Sequence, residues 1–247
     1  MEFIGEHTLI GNLGQAFISI AFAAILLAAF SFYKSARNEQ LKVIWLPVAR
    51  AAFYTHGLAV IGIISCMFIM VYNHYFEYQY VWQHSSLELP THYMISCFWE
   101  GQEGSFLLWT FWNIILGSIL MKTCKTSEPT VLTIVSVIQV FLVSMILGIY
   151  VFGIKLGSSP FVLIRNLEEN VGLPWTELVN YLQVVPQFLD GRGLNPLLQN
   201  YWMVIHPPIL FLGFALTMIP FSFAISGLWK KQYSEWIEEA LPWTYAG

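Results

Sequence analysis

One histidine in this chain stands where metal chemistry could be done. The run Asp190-Gly-Arg-Gly-Leu-Asn-Pro-Leu-Leu-Gln-Asn-Tyr-Trp-Met-Val-Ile-His206-Pro207-Pro208 is a polar, glycine-punctuated loop. It delivers an imidazole to the mouth of an apolar segment, Ile209 to Leu228. A neutral imidazole is a good metal ligand. Pro208 suits the first turn of a helix, where its missing N–H would be unpaired anyway. A residue before proline is pushed out of the helical region. The pattern therefore predicts His206 extended, just outside the helix, with its ring aimed away from lipid. Spacing alone leaves a metal ligand and a helix-start residue as open readings.

Two carboxylates come next. Glu100 and Glu103 stand three apart in Trp99-Glu-Gly-Gln-Glu-Gly-Ser105, at the lip of an apolar segment. A charge at that depth usually faces protein or a polar cavity. It could clamp a ligand or a partner's cationic group. Equally, acidic residues favour the positive end of a helix dipole and can mark a solvated helix start. His56, inside another apolar segment, is a candidate relay or ligand, but a hydrogen bond to a neighbouring helix is the favoured reading. His7, His74, His84 and His92 read as wet surface histidines. Cys66, Cys97 and Cys124 are scattered, with no C-x-x-C, zinc spacing or C-x-x-C-H haem-attachment motif.

The elements that must position these groups are membrane helices. The chain is 57% hydrophobic and only 11% charged, with mean hydropathy +0.61, where a soluble domain carries about 25% charged residues. The class is all-α and polytopic. A net charge of −4 argues against nucleic acid as a partner. The acidic start, with no basic residue before Lys34, lacks the basic region of a secretory signal. Five spans are expected, near 13–32, 51–71, 98–121, 131–152 and 209–228, with Pro220 a kink in the last. Lys34, Arg37, Lys42, Arg50, Lys122, Lys125, Lys230 and Lys231 fall on one side, and Lys155, Arg165 and Arg192 on the other. The positive-inside rule then places the N-terminus outside and the C-terminus in the cytoplasm. The outer loops are 72–97 and 153–203. Within the second, Leu178, Leu182 and Val185 share a face, which suggests a short helix lying on the membrane surface. Leu241-Pro-Trp-Thr-Tyr245 resembles the run-up to another span.

Taken together, two stretches resemble a known family. Leu89-Pro90 through Trp109, with Trp99-Glu-Gly-Gln-Glu-Gly-Ser-Phe-Leu-Leu-Trp, is similar to the signature of CcmF-type cytochrome c maturation proteins, within a wider CcmF/CcsA haem-handling superfamily. So is Asp190-Gly-Arg-Gly-Leu-Asn-Pro-Leu-Leu-Gln199 followed by His206-Pro-Pro-Ile-Leu-Phe-Leu-Gly-Phe214. Ser159-Pro160-Phe161 fits a short motif upstream.

The resemblance implies cytochrome c-type biogenesis in a bacterial inner (cytoplasmic) membrane, with the active face towards the periplasm. Such a protein is part of the haem lyase that holds a transient or substrate b-type haem and attaches it to apocytochrome c. Its implied partners are a CcmE-type haem chaperone, CcmH- and CcmI-type lyase subunits, apocytochrome c and membrane lipid. It implies His206 as an axial ligand of haem iron, with Trp202 and Arg192 also at the haem and Arg192 suited to a propionate. Asp190 and Asn195 would shape the loop behind. Trp99, Glu100, Gln102 and Glu103 would form the outer-lip motif. The family's tryptophan-rich motif and its further histidines come after the next span. By this reading residues 1–247 resemble the N-terminal part of a longer haem-handling domain, a split subunit or a truncated chain, inactive alone. The segment 161–189 is longer than the usual family loop. Two other classes stay open: a transporter or channel subunit, for which no internal repeat is found, and a non-catalytic assembly subunit.

Overall fold

The computed structural model describes residues 3–124 and 126–247. Lys125, counted above among the basic residues, lies outside them. The helices are α1 (Thr8–Ser35), α2 (Glu39–Tyr72), α3 (Gln79–His84), α4 (Thr91–Glu100), α5 (Gln102–Thr123), α6 (Glu128–Ser144), α7 (Tyr181–Val184), α8 (Tyr201–Lys230) and α9 (Trp236–Ala246). Four of them, α1, α2, α5 and α8, are long and apolar enough to cross a membrane, and α6 is a shorter apolar helix. The protein is thus an all-α integral membrane protein. Connections are short at one end of the bundle, where Lys34, Arg37, Lys42, Arg50, Lys122, Lys230 and Lys231 collect. The other end carries the two long loops.

Helix ends differ from the hydropathy limits because polar caps extend helices beyond the apolar core. Asn38 caps α2, its side chain accepting from Leu41 N–H, so the helix starts twelve residues before Ala51. At 34 residues it is ~51 Å long at ~1.5 Å per residue, longer than the ~30 Å core. Its first turns therefore run along the basic end, where Arg50 grips Glu128 through two bonds of 2.7 and 2.6 Å.

The fourth span is shorter than expected. It ends at Ser144, not at residue 152. Gly148 then turns the chain at φ +61°, where a Cβ would lie 2.7 Å from Ser159. A hairpin follows, β1 (Ile149–Val151) against antiparallel β2 (Ile154–Leu156), with Val151 opposite Ile154. Phe152 and Gly153 both have positive φ, as a tight primed turn requires. The apolar run was strand and turn, which hydropathy alone does not separate from helix.

The third span is broken. Residues 98–121 fall in two helices, α4 and α5, split at Gly101, which is extended (φ −80°, ψ 159°). The break folds α4 back so closely that a Cβ on Gly104 would lie 1.4 Å from the Phe98 carbonyl oxygen.

The expected surface helix at 178–185 is also corrected. Pro174–Glu177 and Pro186–Phe188 are 3-10 turns around the single turn α7. Tyr181 and Phe188 bury against Ile164, and Leu178 is exposed. This small lobe holds the N-terminus. Arg165 donates to Glu6 at 2.6 Å, and the Tyr181 hydroxyl donates to Glu6 at 3.0 Å. His7 is exposed, as expected, but it has a partner. Its backbone N–H donates to Glu77 at 2.9 Å, its Nδ1 lies 3.0 Å from the same carboxylate, and its ring stacks on Tyr75 at 3.8 Å. The tail forms α9 and packs on α8, with Trp236 against Gly227.

Gly104→Ala is expected to destabilise the protein by ~1–3 kcal/mol or more, read as a lower thermal midpoint in detergent. Gly213→Ala, with nothing within 4 Å of its added methyl, should be neutral or stabilising by up to ~1 kcal/mol.

Burial raises the Glu77 carboxyl above the ordinary glutamate range, and the bonds from His7 offset only part of this. The native state then holds this proton at pH values where the unfolded chain has released it. The stability Glu77 contributes is full below the unfolded value and is lost as pH rises through the folded one. Glu77→Gln should therefore gain stability relative to the wild type as pH rises from ~4.3. A pH-independent difference in melting temperature would contradict this.

Candidate functional site

Both sequence motifs rest on α3, a six-residue helix. Its two sides hold different partners. Tyr80 points into the α4–α5 break and donates to the Phe98 carbonyl at 2.6 Å, close also to Cys97 O at 3.1 Å. Those carbonyls end α4 without helical donors. Burial, then the charge of Glu103, push the Tyr80 phenol well above its usual range, so it stays a donor. His84 Nδ1 lies 3.1 Å from Glu100 Oε2, with both side chains about 15% exposed. Glu100 thus has a partner within the protein. Glu103 sits half-buried in the first turn of α5, at the positive dipole end, and Gln102 is exposed. The two carboxylates therefore straddle a helix break.

The other side of α3 holds the glycine-rich loop. Arg192 N–H donates to Trp82 O at 2.7 Å and Gly193 N–H to Ser85 O at 3.0 Å. Gly191 approaches so closely that a Cβ would lie 1.9 Å from Ser85 O. Asp190 Oδ1 accepts from Leu87 N–H at 2.8 Å and from Gly191 N–H at 2.7 Å. The exposed Arg192 guanidinium lies 4.3 Å from the Trp82 ring centroid, a cation–π contact. Asn195 Oδ1 accepts from Leu197 N–H at 3.0 Å and starts a 3-10 turn.

His206 is not outside the helix. α8 begins at Tyr201, with Asn200 as its cap, the Asn200 side chain accepting from Met203 N–H at 3.2 Å. His206, Pro207 and Pro208 lie inside the second turn. The physical reason is a tertiary hydrogen bond. Pro207 has no N–H for the Met203 carbonyl, four residues back. Trp99 Nε1–H donates to that carbonyl at 2.7 Å instead. One turn on, Trp112 Nε1–H donates to Pro208 O at 3.0 Å. The Trp99 indole thus replaces the donor that Pro207 lacks, and Trp112 of α5 adds a second contact to the same helix. The motif and the loop meet at Trp99 and Met203.

His206 is exposed, and no protein hydrogen bond reaches its ring among the described residues. Trp202 is also exposed and stands four residues earlier, on the same helix face. Exposed Ile209, Leu210 and Phe214 continue that bare apolar side. The structure thus brings Trp202 and His206 together, and keeps Arg192 on α3. Sequence reasoning missed Tyr80, Trp82, His84 and Trp112. Tyr80 and His84 stand one helical turn apart on α3, but a six-residue helix is too short for periodicity to mark it. Among the described residues no cluster of three or more His, Cys, Asp or Glu could hold a metal ion.

The fold and the site define a polytopic helical membrane protein that presents an exposed imidazole beside an indole on a helix contacted by two tryptophans. The chain belongs to the cytochrome C assembly protein family, whose model matches residues 99–243. It is 27% identical to the cytochrome c-type biogenesis protein CcmF of Haemophilus influenzae, over 96% of this chain and 33% of that one. Against CcmF of Pseudomonas fluorescens it is 26% identical, over 81% and 27%. The solved structure of the cytochrome c heme lyase CcmF superposes with a TM-score of 0.69 at 23% identity, over 97% of this chain and 33% of that chain; this likeness is one of fold. The chain spans about a third of the length of the curated relatives it matches.

Removing the indole donor should cost ~1–3 kcal/mol, because Met203 O is then left without a partner. Trp99→Phe is expected to do this, and Pro207→Ala to offset much of it by restoring the helical N–H. A double-mutant cycle in thermal stability should give a coupling of ~0.5–3 kcal/mol. Strict additivity would show that the two groups do not share that carbonyl.

Proposed function

We propose that this chain is the haem-holding part of a membrane haem lyase for cytochrome c-type biogenesis. The observation that carries the reading is His206, an exposed imidazole without a protein partner, on a braced helix beside Trp202. Haem is the substrate. A neutral imidazole nitrogen suits its iron, and the Trp202 ring and the Ile209–Leu210 turn offer an apolar rest for its macrocycle. Arg192 has no carboxylate among the salt bridges of the described residues, so its fork is free for a propionate. The loop-bearing end then faces the periplasm and the basic end the cytoplasm of a bacterial inner membrane. A b-type haem arrives from a CcmE-type chaperone. CcmH- and CcmI-type subunits present the Cys-x-x-Cys-His segment of apocytochrome c. Each thioether forms as a cysteine S–H adds across a haem vinyl group. The chain's part is to hold the macrocycle in place while this happens. A second axial ligand comes from outside these residues or from a partner.

Expressed in its own cell with its partner subunits, the wild type should purify with low-spin haem. His206→Ala should lose about tenfold or more of that haem, with a matching fall in cytochrome c yield. Added imidazole should restore part of the spectrum by filling the iron site. Equal haem content and equal yield in the two proteins would overturn the ligand assignment.

A further inference from the structure

Hydroxyls in these membrane helices bond their own backbone. Thr55, Ser65, Ser118, Thr133 and Ser222 each donate to the carbonyl four residues back. Thr110 on α5 and Ser136 on α6 are fully buried, yet the oxygen of each side chain has no partner. Fully buried Asn113 is the extreme case, because neither Nδ2 nor Oδ1 finds a protein group. Gln139 is half-satisfied. Its Nε2 donates to Thr110 O at 3.0 Å and sits 3.4 Å from His56 Nε2. Since that nitrogen must face a carbonyl, the amide cannot be flipped, and Oε1 is left unpaired. His56 Nδ1 lies 3.0 Å from Ala21 O, which sets the tautomer with the proton on Nδ1 and Nε2 as an acceptor.

These atoms come from one layer. With α5 ending at Thr123 and α6 starting at Glu128, the two helices are antiparallel neighbours. Gln139 and Thr110 touch, Asn113 lies three residues after Thr110, and Ser136 lies three residues before Gln139. Both steps run ~4.5 Å towards the same end of the bundle. Asn113 and Ser136 therefore come level on facing helices, one turn from the His56–Gln139 contact. Oε1 of Gln139 and Oδ1 of Asn113 need donors, while Asn113 Nδ2 needs acceptors. The hydroxyls can serve either way. No ionised side chain takes part, so the occupant is neutral, small, and both donor and acceptor.

We propose that this layer is an internal hydration site, in which bound water joins Asn113, Ser136, Thr110 and Gln139 and reaches the environment of His56. Polar groups buried in a membrane bundle without partners are costly, and water with two to four polar partners is the usual occupant of such sites. The site lies in the bundle interior and does not depend on the haem reading.

X-ray radiolytic labelling of the full chain in lipid nanodiscs reports water beside buried side chains. His56 should be oxidised about tenfold faster than Phe32, an equally buried ring packed edge-on against Phe53. Asn113→Leu should fill the layer and bring His56 down to the Phe32 rate. Thr110→Val, nearly isosteric, should lower it in part and serves if the leucine variant does not fold. His56 labelling as slow as Phe32 in the wild type would overturn the proposal. So would fast labelling unchanged in the folded variants.

Discussion

The bond from Trp99 to Met203 sets the terms for the loop-bearing end. Two adjacent prolines remove two consecutive helical donors. Left alone, Met203 O would face an apolar surrounding unpaired, and the chain would have reason to leave the helix before His206. The indole donor at 2.7 Å removes that reason. Much else serves to aim this indole. Gly101 and Gly104 let α4 fold back, Tyr80 satisfies the carbonyls that the break exposes, and Ser105 donates to Trp99 O at 2.9 Å. A seven-residue motif that looks like a clamp for a ligand is better explained as a backbone device that delivers one tryptophan.

The same rule, that every polar group in an apolar surrounding needs a partner, orders the interior. Arg50 and Glu128 pair near the basic end, and the Thr130 and Ser226 hydroxyls bond each other between α6 and α8. Farther in, Gln139 ties α6 to α5 and to His56 of α2. Thr130, Thr133, Ser136 and Gln139 recur every three residues along α6, all buried. The shortest helix of the bundle thus carries a buried polar stripe, and it sits against α1, α5 and α8.

Hydropathy made the long helices legible, and the family motifs pointed to the haem-handling class. The limits of elements were less legible. Asn38 and Asn200 are good cap residues, yet apolar content drew attention past them to Ala51 and Ile209. For α8, the proline rules favoured a start at Pro208, and only a tertiary donor 104 residues away in sequence reversed that choice. The fourth span ran on into Ile149–Phe152, because an apolar hairpin and an apolar helix end have the same composition. His84 and Glu100 lie sixteen residues apart, on separate short helices. No periodicity links such a pair. Two of the histidines judged one by one as surface residues, His7 and His84, each pair with a carboxylate.

Placing His206 within a helix changes what kind of ligand the proposed haem site would use. A histidine on an extended loop has its own backbone freedom, and the metal must order it on binding. A histidine in the second turn of a capped helix is already ordered, and its direction is tied to Trp202 one turn before and Leu210 one turn after. Asn200 fixes the start of that helix, and the Trp99 and Trp112 indoles fix its proline turn against α4 and α5. Preorganisation of this sort improves geometric precision, and it makes the imidazole depend on residues that never touch the haem. Disturbing the Trp99 contact would therefore tilt the ligand without removing it, and loss of haem need not point to a haem contact.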